Sequence, residues 1–349
     1  MDQQVLINLV VQIIIIGLVA VALMLGFAAM TVVERKLLGR FTLRYGPNRV
    51  GKFGTLQVVA DMFKMFFKEE VIPGHVDRFV YLIAPGLALV PALMAFAVVP
   101  IASQPFTLPF EVFGSTVTIY PWIANINVGI LYILAIGSLG TYGVILGGWS
   151  SNNKYSLLGG LRTSAQMLSY ELPMGLAMLS AILIAGSMQL TEIVEFQASR
   201  WGGFFWVVWF QPIAFIIFFI CALAEAGRSP FDLPETENEL IAGFATEYGG
   251  MKFGLFFGAE YVHMIVVSFI AATVFLGGWA GPFAMQIPFL GIGYLLIKVA
   301  FVLFMMIWVR ASLPRVRFDK LMKFCWKFLL PLSIANAAVT ALVLAVLFF

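Results

Sequence analysis

Eight apolar runs, at roughly 5–33, 79–101, 124–147, 164–187, 204–226, 253–276, 287–310 and 328–349, dictate what this chain can fold into. A hydrocarbon layer ~30 Å thick is crossed by about 20 apolar residues in a helix, and each run is long enough. Lipid offers no partner to backbone N–H and C=O groups, so a helix must satisfy them within its own segment. Composition agrees: 61% of the 349 residues are hydrophobic and 11% charged, where a soluble domain carries about a quarter charged. The expectation is an all-α polytopic membrane protein with residues 1–349 as a single membrane domain. The first run, Val5 to Val33, follows a lone acid, Asp2, with no basic segment before it, and is much longer than a signal-peptide core. It reads as a retained span.

Charge then orients the spans. Apart from Arg200 and Lys298, every Lys and Arg falls in, or at the edge of, the connections after runs one, three, five and seven. The positive-inside rule puts those connections on the cytoplasmic side and both termini outside. The outer connections, such as Pro100 to Trp122 and Gly277 to Gln286, carry almost no charge and read as simple linkers.

Several chemistries have no residues to support them. Cys221 lies in an apolar run and Cys325 in what reads as a basic loop, so neither a disulfide framework nor a Cys-x-x-Cys cluster site is available. His75 and His263 alone do not make a bis-histidine haem or three-histidine zinc site. Phosphate-loop and dinucleotide fingerprints are missing. No nucleic-acid partner is expected.

Two inner segments stand apart from the spans. In "TLQVVADMFKMFFKEE", Gln57, Asp61, Lys64 and Lys68 recur at i, i+4, i+7 and i+11, with Leu56, Val59, Met62, Phe63, Phe66 and Phe67 on the other face. This predicts an amphipathic helix in the interface, within an inner loop at 34–78. Its apolar face either anchors the loop to the membrane or walls the entrance of a lipid-like ligand, with Asp61 then the nearest acid. The preceding "ERKLLGRFTLRYGPNRVG" is strongly basic and turns at "YGPN". It serves as an orientation determinant, as a surface for a docked soluble partner, or as both.

Ionisable groups inside spans cost about 2.5–3.5 kcal/mol on insertion scales, which makes each a functional candidate. Here they are Glu34, Glu171, Glu225, Glu260, His263 and Lys298. Glu171 precedes Pro173 in "SYELPMG", where the missing N–H predicts a kink that can hold water near the acid. Glu260 and His263 in "AEYVHM" are three apart and share a helix face. Glu34 and Glu225 close spans one and five, and Lys298 either pairs with one of the acids or snorkels. A second, acidic inner loop at 227–252 contains "RSPFDLPETENEL", with Asp232, Glu235, Glu237 and Glu239 beside Arg228, and its acids continue through Glu247 toward Glu260. Arg228 is placed to hold an acid. The alternative reading of the segment is a solvated acidic loop.

The motifs "ERKLLGRFTLRYGPNRVG", "LQVVADMFK", "SYELP", "AEAGRSPFDLPETENELIAGFATEYGGMKF" and "LFFGAEY" together resemble the H-type membrane subunit of bacterial respiratory complex I, which is subunit 1 in mitochondria. The likeness runs from Glu34 to about Lys327. Thr236 departs from the Gly or Ala more common in relatives and leaves the carboxylates in place. The resemblance implies a translocase subunit that joins the membrane arm to the peripheral arm of a proton-translocating NADH:quinone oxidoreductase. It implies quinone as substrate, with NADH, FMN and iron–sulfur clusters held by partner subunits. By motif position the quinone cavity takes Glu34, Arg35, Asp61, Arg228, Asp232, Glu235, Glu237 and Glu247. The proton path takes Glu171, Glu225, Glu239 and Glu260, with Arg162 near its mouth. The setting implied is the bacterial inner membrane among lipid, or else the mitochondrial inner membrane.

Three other readings compete. A cation/proton secondary transporter also buries acids, but its paired broken helices in matching halves have no counterpart here, since Pro173 and Pro212 do not correspond. Related membrane subunits of hydrogenase-type complexes share part of the pattern, yet "RYGPNRVG" and the quinone-side motifs favour the quinone enzyme. A passive scaffold does not account for the cost of Glu171, Glu225 and Glu260.

Overall fold

In lipid, helices are drawn together by close packing and hydrogen bonds more than by exclusion of water, so small side chains decide which spans touch. A computed structural model describes residues 3–112, 115–200, 203–232, 242–285 and 287–348. Seven of the helices among them are long and apolar enough to cross a membrane. The chain is a polytopic, predominantly α-helical membrane protein.

Helix α1 (Gln3–Phe41) has 39 residues, a length of about 58 Å at 1.5 Å per residue. It runs past the expected span because "ERKLLGRF" consists mainly of good helix formers, and it ends where Leu43 takes a positive φ of 56°. The amphipathic helix expected from periodicity is present as α2 (Gln57–Phe67), with none of its residues buried. Helix α3 (Arg78–Ala95) is capped by Asp77, whose carboxylate accepts from Val80 N. It packs against α4 (Gly129–Ser150) so closely that a Cβ on Gly143 would lie 2.4 Å from Ala88 N.

Helix α5 (Lys154–Ala185) begins at an Asn153 cap and continues unbroken through Pro173. The Ser169 carbonyl, four residues before that proline, instead accepts from Cys325 Sγ at 3.1 Å. Cys325 is therefore buried in the last span and does not lie in a basic loop. It opens a π turn, Cys325–Leu329, between α11 (Phe318–Phe324) and α12 (Leu330–Phe348).

The expected fifth span, 204–226, is shorter than its hydropathy suggests. After α6 (Leu190–Ala198) and the four-residue α7 (Val207–Phe210), α8 covers only Pro212–Glu225. Its 14 residues reach about 21 Å, short of a ~30 Å layer. A buried polar residue precedes it: Gln211 donates to Thr340 Oγ1 at 2.8 Å and accepts from Asn336 Nδ2 at 3.0 Å. A second departure lies in the connection read as a linker, where Phe106–Val112 and Ser115–Ile119 pair as an antiparallel hairpin.

Helix α9 (Gly250–Phe275) is the central element, with 72% of its most apolar window buried, whereas the corresponding window of α1 is 6% buried and faces outward. Helix α10 (Pro288–Ser312) flanks it and carries Lys298. Lys298 pairs with carbonyls and with none of the described acids. Its Nζ donates to Gly278 O at 2.9 Å and Ala280 O at 2.7 Å, and lies 4.8 Å from the Trp206 ring centroid.

Candidate functional site

Helix α8 ends with Gly227 in the left-handed region at φ 61°, a conformation that favours glycine. Arg228 N then reaches back to Leu223 O at 3.1 Å, and Gly227 N to Ala224 O at 3.3 Å, which satisfies carbonyls at the helix end. This turn sends Arg228 inward. Its Nη1 lies 3.4 Å from both carboxylate oxygens of Glu34, and its guanidinium stands over Tyr261, 3.8 Å from the ring centroid. Arg310, from the last turn of α10, also donates to Glu34 Oε1.

One buried carboxylate thus holds two guanidinium groups and joins α1, the α8 exit and α10. Removing one partner of such a buried pair costs about 3–5 kcal/mol. Arg228 Nε and Nη2 are buried without a hydrogen-bond partner. The loop arginine does hold an acid, but one from the first helix.

Glu34 and Arg35 diverge, the first buried and the second exposed. Arg35 Nη1 meets Asp61 Oδ2 at 2.6 Å, and Gln57 Nε2 donates to Asp61 Oδ1 at 2.9 Å. These contacts tie α2 to α1. Asp232 is buried against Arg315, Oδ2 to Nη2 3.0 Å, while Val316 N donates to Pro230 O at 2.9 Å. Gln166 Nε2 bridges Ala224 O and Phe231 O at 2.7 and 2.8 Å. The segment 228–232 is therefore pinned from α1, α5 and the chain after α10.

Glu247 is engaged elsewhere. Its Oε1 accepts from Asn153 Nδ2 at 2.8 Å, and its main-chain oxygen accepts from Tyr81 OH at 2.8 Å. Tyr248 stacks on Tyr81 with centroids 4.2 Å apart, and burial raises its phenol pKa. Glu235, Glu237 and Glu239 lie outside the described residues.

Beyond the ion cluster is a cavity of about 60 Å³ lined by Glu225, Gly227, Glu260 and His263, with Gly137 and Thr163 opposite. Since a water needs about 10–15 Å³ by this measure, the space admits about four. His263 Nε2 faces Glu225 Oε1 at 3.5 Å across α9 and α8, and His263 and Glu260, which share a helix face, line the same cavity. Glu225 Oε2 is buried without a hydrogen-bond partner. A smaller cavity of about 20 Å³ shares Gly137, Glu225 and His263 and continues past Met174.

Glu171 stands to one side of these cavities and accepts a hydrogen bond from Ser138 Oγ, next to Gly137 on α4. Arg162 is half-buried, with its guanidinium 5.6 Å from the Phe318 ring centroid.

Sequence reasoning missed Arg310, Arg315 and Tyr261. The two arginines look like ordinary orientation charges, and no local pattern connects either to an acid 276 or 83 positions away.

Comparison with known proteins matches residues 13–341 to the model of a family described as NADH dehydrogenase. An H-type NADH-quinone oxidoreductase subunit of Geobacter sulfurreducens is 48% identical over 331 residues, 94% of this chain and 93% of its own. The H-type subunit of Protochlamydia amoebophila is 50% identical over 314 residues, 90% and 91% of the two chains. NADH-quinone oxidoreductase subunit 8 of Thermus thermophilus is 46% identical, covering 94% and 85%. With nearly the whole membrane domain matched, the chain belongs to the NADH dehydrogenase family that the model describes.

Proposed function

We propose that this chain is the membrane subunit of a proton-translocating NADH:quinone oxidoreductase, forming the membrane-side part of the quinone tunnel and coupling quinone reduction to proton movement. One observation carries the reading beyond family membership: Gly227 lines the acidic cavity, and the next residue, Arg228, is ion-paired with the buried Glu34. A carbonyl-bearing head group offers the acceptor that Arg228 Nε and Nη2 lack. The cavity next to it offers carboxyls and space for water.

In this reading Glu34, Arg35, Asp61, Arg228 and Asp232 shape the quinone side, with Glu235 and Glu237 continuing the acidic loop. Glu247 contributes by anchoring that loop to α3 and α5 through Tyr81 and Asn153. Protons pass by way of Glu239, Glu260, Glu225 and Glu171, with Arg162 near the inner mouth. Interacting acids of this kind titrate as a group, so each proton shift changes the affinity of its neighbours.

Peripheral-arm and membrane-arm subunits are the partners, and they hold the NADH site, FMN and the iron–sulfur clusters. The basic connections face the bacterial cytoplasm, both termini face outward, and the setting is the inner membrane. The test is quinone reductase turnover together with proton pumping in membranes that contain Arg228→Ala complexes at normal assembly. Loss of most of both is expected, and unchanged turnover with unchanged pumping would sink the proposal.

A further inference from the structure

Beside the 228–232 segment, an apolar groove of about 730 Å³ opens between α8, the end of α10 and α11. Its size lies within the range of ligand sites, about 300–1,000 Å³. Phe219, Leu223, Phe231, Leu313 and Phe324 form its walls, and the charged residue among its lining groups is Lys320.

Lys320 and Lys323 lie one turn apart on α11, Lys327 follows in the π turn, and all three side chains are exposed. No described carboxylate pairs with any of the three, unlike the neighbouring Arg315 and Arg317, which face Asp232 and Asp319. Trp326 and Phe328, 50% and 55% exposed, flank the last lysine, and such aromatics mark the head-group level of a bilayer.

We infer that this groove is a binding site for an anionic phospholipid, with an acyl chain between α8 and α11 and the phosphate beside Lys320 and Lys323. The charge pattern selects the occupant. A wholly apolar groove would take any lipid chain, whereas exposed lysines at its mouth, at the membrane edge and with no partner among the described carboxylates, favour a negative head group.

The site also has a structural consequence. Phe231 forms part of the groove wall, its carbonyl is held by Gln166, and Asp232 follows it. A lipid in the groove therefore packs against the same short segment that carries Arg228. The binding inference stands apart from the quinone reading, because it concerns occupancy of the groove and not turnover.

The test uses the full chain in its purified complex, delipidated and titrated with phosphatidylglycerol or with phosphatidylcholine, and retained lipid is counted by native mass spectrometry. One tightly retained phosphatidylglycerol is expected. Each lysine should contribute about fivefold to its affinity, so Lys320→Gln with Lys323→Gln should weaken retention about 25-fold and leave phosphatidylcholine unaffected. If that variant does not assemble, a photoreactive phosphatidylglycerol in the unaltered complex should label Phe219, Leu313 or Phe324. Equal retention of the two lipids, labelling confined to other faces, or a partner subunit found filling the groove would each overturn the inference.

Discussion

Glu34 and Arg228 are 194 positions apart in sequence and meet with Nη1 3.4 Å from both carboxylate oxygens, the two side chains only 4% and 5% exposed. Because Arg310 binds the same carboxylate, the three form one electrostatic unit. Either arginine substituted alone leaves the other on Glu34, whereas Glu34→Gln takes the carboxylate from the buried Arg228 and the half-buried Arg310 at once. Glu34→Gln should therefore lower the yield of assembled complex more than Arg310→Gln does. Removing a buried partner costs about 3–5 kcal/mol, so the Glu34 variant should lose at least tenfold in yield. Combining Glu34→Gln with Arg228→Gln should be less harmful than the sum of the two. Immunoblots of native gels measure this, and strict additivity would show that the residues are not coupled.

Gly137 gives a separate handle on the cavity. A Cβ there would stand 3.3 Å from Glu225 Oε1, tight enough to press on the carboxylate without meeting backbone. Gly137→Ala should leave assembly near normal while cutting the protons moved per quinone reduced, since it narrows the space shared by Glu225 and His263. The measurement is the ratio of proton uptake to quinone reduction in sealed vesicles. A normal ratio together with normal assembly would remove this cavity from the proton path.

Seven of the spans, the amphipathic helix and the buried Glu34 and Glu225 were legible because each rests on local pattern: apolar run length, a 3.6-residue period, or one charge within an apolar run. What remained hidden depended on pairing across the fold. Arg310 and Arg315 resemble any basic residue at an inner helix end, yet one meets Glu34 and the other Asp232. Helical spacing put Glu260 and His263 on one face, but it could not show that the packing of α8 against α9 brings Glu225 to within 3.5 Å of His263. Hydropathy alone also overestimated the fifth span, because an apolar average cannot reveal that Gln211 binds Asn336 and Thr340 before the helix begins. The pairing of strands 106–112 and 115–119 lies in a connection whose scarcity of charge made it read as a simple linker.

Asp61 allows stability and function to be separated. Its ion pair with Arg35 is partly exposed, 27% and 48% for the two side chains, and exposed pairs contribute about 0–1 kcal/mol. Asp61→Asn should therefore assemble normally, with less than a twofold change in yield. If the acid helps form the quinone entrance, the same variant should raise the apparent KM for a long-chain quinone more than it lowers kcat. An unchanged KM at normal assembly would restrict Asp61 to holding α2 against α1.

Gly143 tests whether close packing of α3 and α4 maintains the cavity. The added Cβ would lie 2.4 Å from Ala88 N and 2.8 Å from Ala88 Cα, so relief requires the helices to separate, and a side-chain rotation cannot supply it. Overpacking costs about 1–3 kcal/mol, and Gly143→Ala should lower assembled complex several-fold, with Gly143→Val more severe. Ala88→Gly should not rescue either variant, because the nearest atom belongs to the backbone. Ala88 lines the cavity from α3 and Val144, one residue after Gly143, lines it from α4. Complexes that do assemble should consequently pump fewer protons per quinone. Recovery by Ala88→Gly would show that the contact is between side chains and that the two helices are free to part without disturbing the acids.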